Sequence, residues 1–188
     1  MHEDRILINK LKNFENINSN FLTITLILIG SILLAISAKV QVPFWPVPMT
    51  MQTFVIFLIG MTYSIRLSFA TVAFYLFQGA IGLPVFAAGG GIAYLVGPTA
   101  GYLYGMLFAS IVISYLANIG FSKTYFKATI SLLIGAVIIF LFGIIYLGYV
   151  IGFEKAVAAG LLPFIPSELF KIALAVALIP TLHKIIKK

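Results

Sequence analysis

Glu168 and Lys171 could do chemistry, because they are ionisable residues placed three apart in the otherwise apolar run PFIPSELFKIALAVALIP. At this spacing both side chains project from one face of a helix, close enough to pair or to share a ligand. Ionisable groups inside a membrane span are costly and usually face an interior cavity. The alternative is a helix-start carboxylate favoured by the helix dipole, with a lysine that extends to the membrane surface. We predict a ligand site at this pair, with Ser167 as the helix N-cap.

The pair is suited to recognition, since Glu168 can accept hydrogen bonds from N–H donors and Lys171 can donate to a carbonyl or a carboxylate. An intramembrane enzyme finds little support. The chain lacks an H-E-x-x-H motif and paired intramembrane aspartates, and its histidines, His2 and His183, stand at its ends. A Ser-Lys hydrolase stays open, because Ser167 precedes Lys171 by four residues. We predict no catalytic residue, no metal site and no bound cofactor.

The composition places these residues in an integral membrane protein. Of 188 residues, 62% are hydrophobic and 9% are charged, and the mean hydropathy is +1.13, more apolar than a soluble domain needs to be. A polar segment, residues 1–20, precedes a single membrane domain, residues 21–188. We predict an all-α bundle of six transmembrane helices with irregular loops embedded at one face, and a loop at 152–166. The predicted spans are Phe21–Ala38, Met49–Tyr63, Leu67–Gly82, Tyr102–Ala117, Ala128–Ile151 and Ser167–Ile186.

Two irregular segments predict the walls of a small-molecule pocket. LPVFAAGGGIAYLVGPTAG, Leu83–Gly101, has three adjacent glycines that allow close backbone approach, and irregular backbone at membrane depth must line a cavity or pack on protein. KVQVPFWPVP, Lys39–Pro48, has prolines that forbid a regular helix. Polar and aromatic residues near the same face would complete the pocket: Trp45, Gln52, Phe86, Gly89, Gly90, Gly91, Tyr94, Tyr102 and Tyr104. For Trp45, the position slightly favours an anchor at the membrane surface.

The basic residues predict the orientation, because Lys and Arg concentrate in cytoplasmic loops. With six spans and a cytoplasmic N-terminus, most of them fall inside: Arg5, Lys10, Lys12, Arg66, Lys123, Lys127, Lys184, Lys187 and Lys188. Lys39, Lys155 and Lys171 fall at or toward the outside. Both termini are therefore predicted to be cytoplasmic, with the two irregular segments and the start of the last helix together at the outer face. The net charge of +7 reports orientation and not nucleic-acid binding.

The first span carries a pair of small residues, Ser31 and Ala35, at a spacing that lets another helix approach closely. Packing within the chain and docking of a partner are about equally supported, and we take the pair as the candidate partner interface. The chain has no TVGYG filter and no Walker A motif, which argues against a potassium-type channel and assigns any ATP use to a partner.

Three segments of the chain resemble the BioY family, the biotin-specific substrate-binding (S) components of energy-coupling factor (ECF) transporters. The segments are VPFWPVPMTMQTF, GAIGLPVFAAGGGIAYLVGPTAGYLYG and PSELFKIALA, and the resemblance extends from about Leu33 to the C-terminus. It implies a six-helix membrane bundle with a vitamin site near the outer face.

The resemblance also implies roles for individual residues. Members of the family have an aspartate, followed three residues later by a lysine, that contact the biotin head; Glu168 and Lys171 match these positions, with glutamate in place of aspartate. Some relatives carry an arginine where this chain has Leu103. The biotin carboxylate would then use another donor: Lys39, Lys171 or backbone N–H groups of Leu83–Gly101, the glycine segment.

The function that the resemblance implies is biotin uptake, with this chain as the high-affinity binder in the lipid bilayer of the bacterial cytoplasmic (inner) membrane. Its partners would be an ECF transmembrane coupling subunit and two ATPase subunits, which alone use ATP. A homo-oligomer that works without them is the alternative. A carrier for another small carboxylate vitamin or metabolite is the second candidate function.

Overall fold

The structure is a computed structural model that describes the backbone of residues 19–187 and the side chains of residues 20–179. Most of the predicted polar segment at residues 1–20 lies outside the described residues. So do the basic side chains near both chain ends, which are Arg5, Lys10, Lys12, Lys184, Lys187 and Lys188. The orientation that they indicate therefore stays a prediction.

The described chain is mostly helical. Its α-helices are α1 Ser19–Lys39, α2 Gln52–Thr62, α3 Ile65–Ala80, α4 Ile92–Leu95, α5 Ala100–Leu116, α6 Tyr125–Ile151, α7 Phe153–Gly160 and α8 Ile165–Lys187. A π-helical turn, Ala117–Phe121, follows α5, and a 3₁₀ turn, Leu162–Phe164, precedes α8. Strands β1, Gln41–Val42, and β2, Met49–Thr50, pair antiparallel, so the proline-rich segment folds into a short hairpin after α1.

Four stretches of the described residues are long and apolar enough to cross a membrane: Asn20–Lys39, Ala100–Phe121, Tyr125–Ile151 and Phe153–Ile179. Helix α2 is apolar but has only 11 residues. At 1.5 Å per residue it is about 16 Å long, roughly half of the hydrocarbon core. Length and composition thus support four of the six predicted spans and leave the second and third, α2 and α3, as predictions.

Glycines let α5 and α6 pack closely and fix the wall that carries Tyr102. A Cβ atom at Gly105 would lie 2.9 Å from Cα of Ile139, closer than side chains normally approach backbone. On α6, Gly143 faces the ring of Tyr102 and leaves no room for a side chain there. Ile113 of α5 is fully buried in the core and lies against Gly135 of α6.

Helix α1 uses small residues to pack on the rest of the chain. Gly30 lies against Thr71 of α3, Ser31 is fully buried and Ala35 is partly buried. Ser31 donates a hydrogen bond to the backbone oxygen of Leu28 at 3.0 Å. Ser31 therefore serves packing within the chain here. The exposed face of α1 carries large apolar side chains instead, among them Leu28, Ile29, Ile32, Leu33 and Ile36.

Two predictions near the last helix are wrong. Residues 152–166, predicted as a loop, contain α7, which begins directly after Gly152 at a φ of +90°. Helix α8 begins at Ile165, so Ser167 lies inside its first turn and is not the N-cap. Pro166 is compatible with this early start, because an N–H in the first turn of a helix has no intrahelical partner to lose.

Candidate functional site

A cavity lies between α2, α5, α6 and α8, with the hairpin and the glycine segment on its remaining sides. When the open solvent at its mouth is included, the empty space there is about 490 Å³. Its lining is largely apolar and includes one carboxylate and one ammonium. The lining residues are Val47, Pro48, Thr50, Gln52, Thr53, Ala87, Tyr94, Thr99, Tyr102, Leu103, Met106, Ile139, Phe140, Phe164, Glu168 and Lys171.

Glu168, Lys171 and Thr53 form a buried network at the α8 side of the cavity. Nζ of Lys171 donates to Oε2 of Glu168 and to Oγ1 of Thr53, each at 3.1 Å. Thr53 in turn donates to the same Oε2 at 3.0 Å. The residues are 4%, 3% and 7% exposed, in that order. Oε1 of Glu168 is also buried, and it has no hydrogen-bond partner among the described residues.

The positions of these groups follow from α2 and α8. Glu168 and Lys171 are three apart in the first two turns of α8, so they share one face. Thr53 is the second residue of α2 and reaches that face from the opposite helix. Burying an ion pair is costly unless further hydrogen bonds satisfy it, and Thr53 supplies them. The free Oε1 remains available to accept a hydrogen bond from a ligand.

Gln52 is held by a second network, which joins α2 to α3, to the hairpin and to the glycine segment. Its Nε2 donates to the hydroxyl of Tyr75 at 2.7 Å, and that hydroxyl donates to the backbone oxygen of Val85 at 3.0 Å. Its Oε1 accepts from Oγ1 of Thr50 at 3.2 Å. These bonds fix the orientation of the side-chain amide, so Gln52 presents a fixed polar group to the cavity.

Phe86 supports the cavity wall from behind. Its ring stacks on Tyr94, which lines the cavity, with 4.9 Å between ring centroids. It also packs edge-on against Tyr75 at 5.4 Å. Phe86 is fully buried and lies so close to Gly79 of α3 that no Cβ atom fits there. Phe86 therefore positions Tyr94 and is not itself part of the lining.

Gly89, Gly90 and Gly91 form a turn behind the same wall and do not line the cavity. Gly89 has a φ of +139° and Gly91 a φ of +100°, values that residues with side chains rarely adopt. The N–H of Phe86 donates to the oxygen of Gly89 at 2.9 Å, and the N–H of Gly91 donates to the oxygen of Gly79 at 2.7 Å. The turn holds the flanking residues of the segment against α3.

Lys39 ties the end of α1 to the glycine segment. Its Nζ donates to the backbone oxygen of Phe86 at 2.6 Å and lies 3.5 Å from that of Ala87. Nε2 of Gln41 donates to the same oxygen of Ala87 at 3.2 Å. Since Ala87 lines the cavity, the ammonium of Lys39 lies beside the cavity wall.

The remaining aromatic residues separate into two groups. Tyr102 lines the cavity, and its hydroxyl donates to the backbone oxygen of Gly160 at 2.9 Å, which links α5 to α7. Tyr104 does not line the cavity and bonds to a carbonyl of α4. Trp45 is 84% exposed and borders a separate surface depression that Lys155 also lines.

Of the residues singled out from the sequence, five line one cavity: Gln52, Tyr94, Tyr102, Glu168 and Lys171. Sequence reasoning missed Thr53, although a hydroxyl directly after Gln52 at the start of an apolar span was a usable signal. It also missed Met106, which stands four after Tyr102 and thus on the same helical face. Phe164 lies in a 3₁₀ turn, where no periodicity marks the inward side.

The hydrogen bonds of Lys171 give no support to a Ser-Lys hydrolase. Its Nζ donates to Glu168 and Thr53, and the described bonds include none between it and Ser167. A serine nucleophile needs an adjacent base within hydrogen-bond reach. The arrangement is instead one that can recognise a neutral polar group through an acceptor and donors fixed in advance.

Comparison with known proteins gives consistent matches over most of the chain. The model of the BioY family matches residues 10–188. A probable biotin transporter BioY of Rickettsia prowazekii is 37% identical over 168 residues, 89% of this chain and 86% of that protein. The biotin transporter BioY of Thermotoga maritima is 37% identical over 155 residues, 81% of this chain and 90% of that protein.

One solved structure also matches, that of the S-component for biotin from an ECF-type ABC transporter. It aligns with a TM-score of 0.79 and 26% identity, over 90% of this chain and 95% of that one. The fold and the sequence thus agree, and with the family match extending over nearly its whole length, the chain belongs to the BioY family.

Proposed function

We propose that this chain binds biotin in the cavity between α2 and α8 and serves as the S component of an ECF-type biotin transporter. The names of the related transporters and of the matching solved structure support this. We take the site as one for binding and not for catalysis, because the chain belongs to a family of transporters.

Oε1 of Glu168 is the observation that carries the proposal. A buried acceptor without a partner is costly and is rare in folded proteins. Biotin offers a cyclic urea, which has N–H donors beside a carbonyl acceptor. An N–H of the urea can donate to Oε1 of Glu168. The carbonyl can accept from Lys171, because an ammonium has three donors and two are used here.

The apolar body of biotin would occupy the rest of the cavity. Tyr94, Tyr102, Phe140 and Phe164 supply aromatic lining, and Met106 adds a thioether that adapts to irregular shapes. Contacts of this kind favour a ring of carbon and sulfur over a charged or strongly hydrated group. The cavity thus suits a ligand with a compact polar head and an apolar body.

The proposal includes six membrane spans, with α2 and α3 as the second and third, and cytoplasmic termini in the bacterial inner membrane. Among the described residues, Arg66 lies in the first turn of α3, Lys123 between α5 and α6, and Lys127 in the first turn of α6, all on the predicted cytoplasmic side. Transport would use a coupling subunit and two ATPases. Uptake of labelled biotin by cells that express this chain with and without those subunits separates this arrangement from a homo-oligomer working alone.

Calorimetry on the detergent-purified chain tests the binding function. Biotin and desthiobiotin, which shares the urea, should both bind, and unrelated vitamins should not. Glu168→Gln should weaken biotin strongly, whereas Glu154→Gln, at an exposed glutamate of α7, should leave it unchanged. A biotin affinity no better than millimolar would contradict the proposal, and tight binding of another carboxylate vitamin alone would favour the second candidate function.

A further inference from the structure

The charged groups that line the cavity already neutralise each other. Glu168 and Lys171 are the ionisable pair of the lining, and Nζ of Lys171 is engaged with Oε2 of Glu168 and with Thr53. A ligand that carries a carboxylate would add a negative charge to an otherwise apolar lining. Such a charge is costly to bury without a partner. The carboxylate of biotin therefore needs a cation beyond this pair.

Two of the three backbone N–H groups of the glycine turn are already engaged. The N–H of Gly89 donates to the oxygen of Phe86, and the N–H of Gly91 donates to the oxygen of Gly79. Both groups are thus committed to holding the turn together. An anion would have to break these bonds to use them, which removes most of the gain.

Lys39 offers the additional positive charge that the cavity lining lacks. Its Nζ lies 2.6 Å from the oxygen of Phe86 and 3.5 Å from the oxygen of Ala87, a residue of the cavity wall. The side chain as a whole is exposed. Among the residues that the structure describes, no carboxylate pairs with it. An ammonium has three donors, so at least one is open while the other two point at carbonyls.

A carboxylate is a better partner for this ammonium than the carbonyls that it now contacts. The carboxylate carries a full negative charge, so a Coulomb attraction between opposite charges adds to the hydrogen bond, whereas a carbonyl oxygen carries only a partial charge. Gln41 also donates to the oxygen of Ala87, so that oxygen keeps a partner if Lys39 turns toward a ligand. The exchange leaves the wall satisfied at Ala87.

We propose that Lys39 is the carboxylate subsite of the cavity, which takes the acid end of a ligand whose polar head lies at Glu168. The inference rests on the proposed biotin binding and deepens it. It makes the site selective for acids over their neutral derivatives. It also assigns Lys171 to the head of the ligand and not to its acid end.

Biotin and biotinamide, in which a neutral carboxamide replaces the carboxylate, test the subsite by calorimetry on the purified full chain. The wild-type chain should bind biotin about tenfold or more tightly than biotinamide, the size expected for one hydrogen bond to a charged group. Lys39→Gln should remove this preference by weakening biotin alone. Lys155→Gln, at an exposed lysine on the same predicted side of the chain, should keep it.

Comparing the two ligands separates recognition from the tethering role of Lys39. If Lys39 only holds the glycine segment, Lys39→Gln weakens both ligands equally, and the proposal is overturned. It is also overturned if the wild-type chain does not distinguish biotin from biotinamide, a result that needs no variant to fold. Failure of the wild-type chain to bind biotin at all would refute the proposed function itself, and the subsite with it.

Discussion

Thr53 donates a hydrogen bond to Oε2 of Glu168 at 3.0 Å and thereby joins the start of α2 to the first turn of α8. The same hydroxyl accepts from Nζ of Lys171 at 3.1 Å. One uncharged group thus fixes both members of the buried ion pair. The geometry of the pair therefore depends on a contact between residues 115 positions apart in the chain.

Replacing this hydroxyl should weaken biotin binding without unfolding the protein. Thr53→Val keeps the shape of the side chain and removes both hydrogen bonds, so the carboxylate and the ammonium lose a fixed orientation. The loss should be about 1–2 kcal/mol, roughly tenfold in affinity. Calorimetric titration with biotin measures it.

Thr62→Val is the matched control for this change. Thr62 ends the same helix, and its hydroxyl donates to the backbone oxygen of Leu58 at 2.6 Å, away from the cavity lining. The affinity of the Thr62→Val variant for biotin should equal that of the wild-type chain. Equal affinities for Thr53→Val and Thr62→Val would show that the hydroxyl of Thr53 does not orient the pair.

The ion pair itself should serve binding more than stability. Glu168→Gln alone leaves the ammonium of Lys171 buried without its carboxylate, and breaking such a pair costs about 3–5 kcal/mol. Combining it with Lys171→Met removes both charges, so the thermal midpoint should recover toward the wild-type value. Biotin affinity should stay low in the double variant. Recovery of affinity together with stability would mean that neither charge contacts the ligand.

Gly79 sets the depth at which Phe86 can pack, and this predicts an effect at a distance from the ligand. Gly79→Ala places a Cβ atom against the ring of Phe86, and overpacking of a core costs about 1–3 kcal/mol. Alanine's better helix propensity returns at most about 1 kcal/mol. The variant should therefore melt at a lower temperature and bind biotin less tightly, since Phe86 stacks on Tyr94.

Gly97→Ala provides the comparison for that prediction. A Cβ atom at Gly97 would meet its nearest neighbour, the oxygen of Ala93, at 3.4 Å, an ordinary contact. This variant, in the glycine segment, should match the wild-type chain in melting temperature and in biotin affinity. A normal melting temperature for Gly79→Ala would show that the Phe86 ring shifts at little cost.

Composition and helical spacing predicted those parts of this protein that lie on long, regular helices. Four of the apolar spans, the shared face of Glu168 and Lys171, and the cavity positions of Gln52 and Tyr102 follow from residue type and spacing along regular helices. Helix α7 could not be predicted in this way. It has only eight residues between Gly152 and the 3₁₀ turn, and it is set by tertiary packing, such as the hydrogen bond from Tyr102 to Gly160.

The irregular segments show why the rest of the site was harder to predict. Tyr94 and Trp45 are both aromatic residues in non-periodic stretches, yet Tyr94 lines the cavity and Trp45 is exposed. Without a period, the sequence does not indicate which side chains face inward. The role of Phe86 likewise depends on a long-range contact with Gly79 that only the folded chain reveals.

Trp45 offers a last test, because it is the only tryptophan of the chain and so the sole source of indole fluorescence. Its high exposure and its position away from the cavity favour an anchor at the membrane surface over a lid on the ligand. In reconstituted vesicles, phospholipids brominated near the headgroup should quench its emission. Saturating biotin should leave both the emission maximum and this quenching unchanged.

Trp45→Phe completes the test, since it keeps an aromatic ring at the surface. Substitutions at exposed positions change free energies by at most about 0.5 kcal/mol, so biotin affinity should stay within about twofold of the wild-type value. A lid would behave differently, because closure over biotin would remove the indole from lipid and water. A blue shift on adding biotin, together with a tenfold weaker affinity in Trp45→Phe, would therefore place Trp45 over the ligand.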